Sequence, residues 1–156
     1  MWVEGEVELD RINRAALKHN YGSAEDVPAL LRRCAGPDRD DADGASDELL
    51  NLLFHQGGRV CSAASAALPF VLRLAATPRV PSRRAMLELV AMQAAEAGRV
   101  DARFLDPGWS AAWTQALPEF PGPLDDPEPE IRRAAADVLG VCDSPGELLG
   151  ACGLSA

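Results

Sequence analysis

Lysine occurs once in this chain, at Lys18, and histidine twice, at His19 and His55. Aromatic residues make up only 5% of the sequence. Lys+Arg number 15 against 24 Asp+Glu, a net charge of −9, which excludes binding of nucleic acid by a basic footprint that neutralises phosphates. No apolar run approaches the roughly 20 residues that span a bilayer, so no membrane partner is expected. The opening Met1-Trp2-Val3-Glu4 lacks the basic-then-apolar pattern of a secretory leader. The four cysteines stand at 34, 61, 142 and 152, with gaps of 27, 81 and 10 residues and no Cys-x-x-Cys. That spacing excludes the common zinc frameworks and speaks against a disulfide scaffold, so a cytoplasmic, reduced setting is expected. Gly-x-Gly-x-x-Gly, Walker, Gly-x-Ser-x-Gly and His-Glu-x-x-His patterns are all missing, and no cofactor or metal is expected.

What is present is apolar periodicity of helical type: 47% of the 156 residues are hydrophobic, enough for one domain with a core. The spacing predicts helices over 8–19, 24–35, 45–56, 62–76, 83–97, 109–120, 129–141 and 145–152, an all-α chain. Ser23-Ala-Glu-Asp26 and Ser144-Pro-Gly-Glu147 read as helix starts, with an acid placed to meet orphan amides and the dipole. Asp126-Pro127 reads as a cap followed by a proline in the first turn. Gly22, Gly36-Pro37, Gly57-Gly58, Thr77-Pro78, Gly98 and Gly140 read as stops, and 36–44, 77–82, 98–108 and 121–128 as loops.

The helices also repeat. Pro28, Pro69 and Pro118 sit in similar apolar contexts, 41 and 49 residues apart. In the helices that follow, Ala45/Leu49, Ala85/Leu89 and Ala134/Val138 superpose at spacings of 40 and 49. A two-helix unit of about 40–47 residues is the period of HEAT and armadillo arrays. The segment Asp126-Pro-Glu-Pro-Glu-Ile131-Arg132-Arg133-Ala134-Ala135-Ala136-Asp137-Val138-Leu139-Gly140 resembles the second helix of a HEAT-like repeat. His19-Asn20-Tyr21-Gly22-Ser23 and Phe54-His55-Gln56-Gly57 are similar to segments of small actinobacterial HEAT-repeat proteins. The resemblance spans roughly 9–142. It implies an α-α superhelix, a short solenoid of about three helix pairs (23–57, 62–98 and 109–142) with a cap helix at 8–20 and a C-terminal helix at 145–152. Thr77-Pro78 stands where that pattern expects an Asp, so an Asp–Arg ladder between units is expected to break there.

In such an array the second helices line one continuous surface. Glu48, Glu88 and Asp137 fall in one column of that surface, with Asn51 and His55 on the face of Glu48. These five are the candidate binding residues, and a basic or polar protein or peptide is the partner they imply. The bland alternative is a solvated helix face neutralised by Arg84–Glu88 and Arg133–Asp137 pairs at i,i+4. The resemblance also admits a lyase-like, small-molecule enzyme, for which Glu48, His55 and Cys61 are the candidate groups, and a DNA glycosylase, against which the net charge stands. Self-association is a further reading, with 145–152 beginning a unit that a second chain completes.

The remaining motifs have structural readings. His19 and His55 are placed to cap helix C-termini. Trp109 and Trp113, with Leu117 and Phe120, form a core seam, and Trp2 covers an end. A calcium loop starting at Asp38 fails, because position 42 is Ala, 43 is Asp rather than Gly, and 49 is Leu. Gly57-Gly58-Arg59 ahead of a helix start is suited to an anion. Residues 59–103 carry seven Arg against Glu88, Glu96 and Asp101, a local charge of +4 within an acidic chain.

Overall fold

The computed structural model describes residues 8–12, 16–54, 58–116, 118 and 121–140. The described chain is all-α apart from one two-residue ribbon. Its helices are α1 (Val27–Ala35), α2 (Arg39–Leu53), α3 (Ser62–Ala76), α4 (Arg83–Ala97), α5 (Trp109–Ala116), α6 (Pro121–Leu124) and α7 (Pro129–Gly140). Short 3-10 turns precede α1 at Ala24–Asp26 and α5 at Ala102–Phe104. The ribbon pairs β1 (Lys18–His19) with β2 (Gly22–Ser23), Lys18 opposite Ser23 and His19 opposite Gly22.

Helices pack in consecutive pairs, α1 on α2, α3 on α4, and α6 on α7. The pairs then meet in order: α1 touches α3 and α3 touches α5 on one side, while α2 touches α4 and α4 touches α7 on the other. α3 sits at the centre, and its composition explains why. Ala63, Ala64, Ala67, Leu68, Phe70, Val71, Leu72, Leu74 and Ala75 are all buried, so the helix is apolar nearly all round. Its alanines let neighbouring helices approach closely, and each fully buried Leu contributes about 1.5–3 kcal/mol. The helix runs through Pro69, losing one backbone bond at that turn. Ala45, Leu49, Leu89, Ala134 and Val138, read as equivalent from their spacing, are buried.

Three expectations are corrected. Of the cap helix expected at 8–20, the described residues 8–11 are helical, whereas 18–23 form the ribbon instead. Gly22 has φ 147°, a conformation open to glycine alone, so Asn20-Tyr21-Gly22 turns the chain rather than ending a helix. Two paired residues per strand are too few to show period-2 alternation. His19 consequently caps nothing. Its Nδ1 accepts the Tyr21 N–H at 3.0 Å, and its Nε2 lies 3.1 Å from the Asp26 carboxylate. Second, the acidic run at 38–43 is the first turns of α2 and not a loop. Asp38 accepts the Asp41 N–H at 3.1 Å, and Asp40 and Asp41 face the positive end of the dipole. Third, Ser23 makes no side-chain bond to the turn it precedes. The expected helix 145–152 and its Ser144 start, His55, Leu117, Phe120 and Trp2 lie outside the described residues.

The 8–11 turn is tied down by charge: Asp10 pairs with Arg32 at 2.5 Å and Glu8 with Arg73 at 2.6 Å. Trp109 is buried and stacks on half-buried Trp113, ring centroids 5.8 Å apart, against the same core.

Candidate functional site

The N-terminal ends of α2, α4 and α7 open on one groove of about 470 Å³. α2 supplies Arg39 and Asp43, the α3–α4 loop supplies Arg79, Val80 and Pro81, and α4 supplies Arg83, Arg84, Ala85 and Glu88. Glu128, Glu130 and Ile131 close the far side from the start of α7.

The floor is held by an ion pair between two helix pairs. Arg83, 3% exposed, and Asp126, 9% exposed, meet through Nη2 and Oδ2. Arg83 Nε donates to the Ala75 carbonyl at 2.8 Å, and Nη1 lies 3.4 Å from both Asp126 Oδ1 and Glu128 Oε1. Asp126 Oδ1 also accepts the Glu128 N–H at 2.9 Å. Arg132 Nη1 donates to the Asp126 carbonyl at 2.6 Å and to that of Pro127 at 3.0 Å. Burial pushes the Asp126 carboxyl up, but the Arg83 hydrogen bonds, the Glu128 amide and the charges of Arg83 and Arg132 outweigh it and hold it below its ordinary range. Asp126 was expected to cap a helix. It does turn the chain into α7, which starts at Pro129, and its larger role is as the partner of Arg83.

Above this floor the charges are of both signs. Arg84 Nε donates to Glu88 Oε1 at 2.8 Å across one helical turn. Among the described residues Arg39, Arg79, Asp43 and Glu130 have no ion pair. Arg79 holds φ 68°, left-handed backbone that is uncommon for a residue with a Cβ. Among the described residues the polar lining of the groove is guanidinium and carboxylate groups.

Of the four sequence-derived site residues that are described, the groove contains Glu88 alone. Glu48 is exposed on α2, 3.6 Å from Arg33 Nη1. Asn51 and Asp137 are exposed on α2 and α7, and His55 lies outside the described residues. Of the enzyme constellation, the two described members are apart: Cys61 lines a separate cleft to which Glu48 does not contribute, and burial pushes the Cys61 thiol up, away from thiolate. Among the described residues no group of three or more His, Cys, Asp or Glu is placed to hold a metal ion. No described helix is long and apolar enough to cross a membrane. Arg83, Arg39 and Arg79 were not singled out from the sequence. The available signal for Arg83 was its position six residues after Thr77, matching Arg132 six after Asp126.

These features define an all-α protein of serially packed helix pairs with a charged groove along one row of helix ends. Compared with protein-family models, curated proteins and solved structures, the chain matches none.

Proposed function

We propose that this chain is a non-catalytic scaffold that binds a protein or peptide, built as a short HEAT-like solenoid in which α1–α2, α3–α4 and α5–α7 are successive units. The order of helix contacts supports the unit assignment. So does the Arg83–Asp126 pair, which lies where a ladder rung between the second and third units would fall. The expected break falls one step earlier, between the first and second units.

One observation carries the binding reading: a single groove of about 470 Å³ receives charged side chains from all three helix pairs. Salt-sensitive docking of an extended segment with charges of both signs fits it, since complementary charge gives register and on-rate. The site is therefore moved from the column Glu48/Glu88/Asp137 to the helix ends, with Glu88 common to both. The buried free thiols of Cys34 and Cys61 suit a reduced, cytoplasmic setting.

The reading is tested by affinity capture from the native host with wild type and with an Arg39→Glu/Glu88→Arg double variant. The expected result is one stoichiometric protein, released by 0.5 M salt and lost with the double variant. A chain that captures no protein, or whose partner ignores both substitutions, overturns it.

A further inference from the structure

A second cleft, of about 320 Å³, shares no residue with the groove above. Three distant stretches of chain build it: the ribbon strand β1, the segment 59–62 that leads into α3, and the segment 103–107 ahead of α5. Backbone bonds stitch these walls together. Val60 N–H donates to the Phe104 carbonyl at 2.8 Å, and Asp106 N–H to the Val60 carbonyl at 2.9 Å. Lys18 N–H donates to Ser62 Oγ at 2.9 Å. On the other side of Arg59, Gly58 takes φ 86°, and its N–H is held by the carboxylate of Glu96, which is 2% exposed. The walls are fixed by contacts within the fold.

Each wall contributes one cation: Lys18, Arg59 and Arg103. Lys18 and Arg59 have no ion pair among the described residues, and Arg103 reaches Asp101 only at 3.8 Å. The lining carboxylate, Asp106, accepts the Gly108 N–H of its own turn at 3.1 Å. His19 already has partners on both ring nitrogens, Tyr21 N–H and Asp26. The cleft thus holds a surplus of two positive charges in a chain of net charge −9, and the local +4 of residues 59–103 is partly concentrated here. Val60, Leu105 and Phe104 add apolar surface, with Phe104 43% exposed beside the Arg103 guanidinium. A volume of this size is at the small-molecule end of binding sites.

We propose that this cleft binds a small organic phosphate monoester, its dianionic phosphoryl group among Lys18, Arg59 and Arg103 and its organic part over Phe104 and Leu105. The dianion matches the surplus of two charges, whereas a carboxylate leaves one uncompensated. The positive end of the α3 dipole, which starts at Ser62 in the wall of the cleft, adds to the same field.

The test titrates the full chain at low ionic strength with phenyl phosphate, inorganic phosphate and benzoate, read by calorimetry and by amide chemical shifts. Phenyl phosphate should saturate, bind more tightly than either of the others, and shift the amides of Arg59, Ser62 and Arg103. Arg59→Gln and Lys18→Gln, both exposed positions, should each weaken it about tenfold, the loss of one charge-assisted contact. Glu88→Gln in the other groove should leave it unchanged. Absence of saturation, benzoate binding as tightly as phenyl phosphate, indifference to both substitutions, or shifts elsewhere in the chain would each overturn the proposal. The amide shifts of the wild type decide the matter even if a variant fails to fold.

Discussion

The two junctions between helix pairs are built by adjacent residues at the head of α4, with different chemistry. Ser82 reaches back: its hydroxyl, 1% exposed, donates to the Cys34 carbonyl at the end of α1 at 2.8 Å. Arg83 reaches forward to Asp126 ahead of α7. The backward junction is neutral and the forward one ionic. The position that would carry the acid of a backward rung is Thr77, whose hydroxyl instead donates to the Arg73 carbonyl at 2.7 Å. A neutral bond contributes a modest net amount and fails gently. A buried ion pair contributes little over a well-packed apolar substitute, yet removing one partner strands a charge in the interior. The forward junction is therefore the brittle one.

Breaking each junction separately exposes the difference. Arg83→Ala is expected to cost about 3–5 kcal/mol, because Asp126 is left buried and the Ala75 carbonyl loses its donor. Arg83→Met combined with Asp126→Asn is expected to recover part of that loss, since neither charge then remains. Urea denaturation of the single and double variants reads both effects, and a single variant within about 1 kcal/mol of wild type would show that the pair is not the buried one described.

Acid sharpens the contrast. The folded Asp126 carboxyl lies below its ordinary range, so its contribution is fully present above the unfolded value of about 3.9 and is lost as pH falls through the lower folded value. Wild type should be more stable than Asp126→Asn at pH 7, and the gap should close as the pH drops below about 4. The corresponding gap for Ser82→Ala should not depend on pH over the same span. That substitution is expected to cost about 1–2 kcal/mol, one buried neutral bond and an orphaned carbonyl. A Ser82→Ala penalty as large as that of Arg83→Ala would erase the distinction between the junctions.

The legibility of the chain follows the same division between packing and long-range polar contacts. α3 and α4 were readable to the residue, because each is an apolar-rich run of 15 residues bounded by breakers, Gly57-Gly58 and Thr77-Pro78 around α3 and Pro81 and Gly98 around α4. The ribbon at 18–23 was not, because its length carries no period and its stability comes from outside it. Asn20 N–H bonds the Leu52 carbonyl, and Ala24 N–H bonds that of Leu17. The start of α2 was missed for a chemical reason: Asp38-Arg39-Asp40-Asp41 has loop-like composition, while its acids suit a first helical turn. Glu88, which also lines the groove, was singled out because it falls in one column with Glu48 and Asp137 when the second helices are superposed at the repeat spacing. Arg83 and Asp126 are 43 residues apart, and no local pattern states that two such side chains meet. The cationic cleft was half legible. Arg59 after Gly57-Gly58 was singled out as suited to an anion, but the arrival of Lys18 and Arg103 beside it depends on how three separate segments are stitched.

The smallest effect concerns the loop between the junctions. Arg79 holds φ 68° within the Thr77-Pro78-Arg79-Val80-Pro81 stretch, a conformation that disfavours a Cβ by about 1 kcal/mol or more. Glycine there relieves the strain but adds freedom to the unfolded chain, so Arg79→Gly is expected to stabilise the fold by about 0.5 kcal/mol or to leave it unchanged. Arg79 also lines the groove and has no ion pair among the described residues. On the proposed function, Arg79 contacts the segment that fills the groove. The same variant should therefore weaken capture of the partner while raising or preserving the urea midpoint. If Arg79→Gly lowers the midpoint and binds normally, the residue serves the loop between the two junctions rather than the groove.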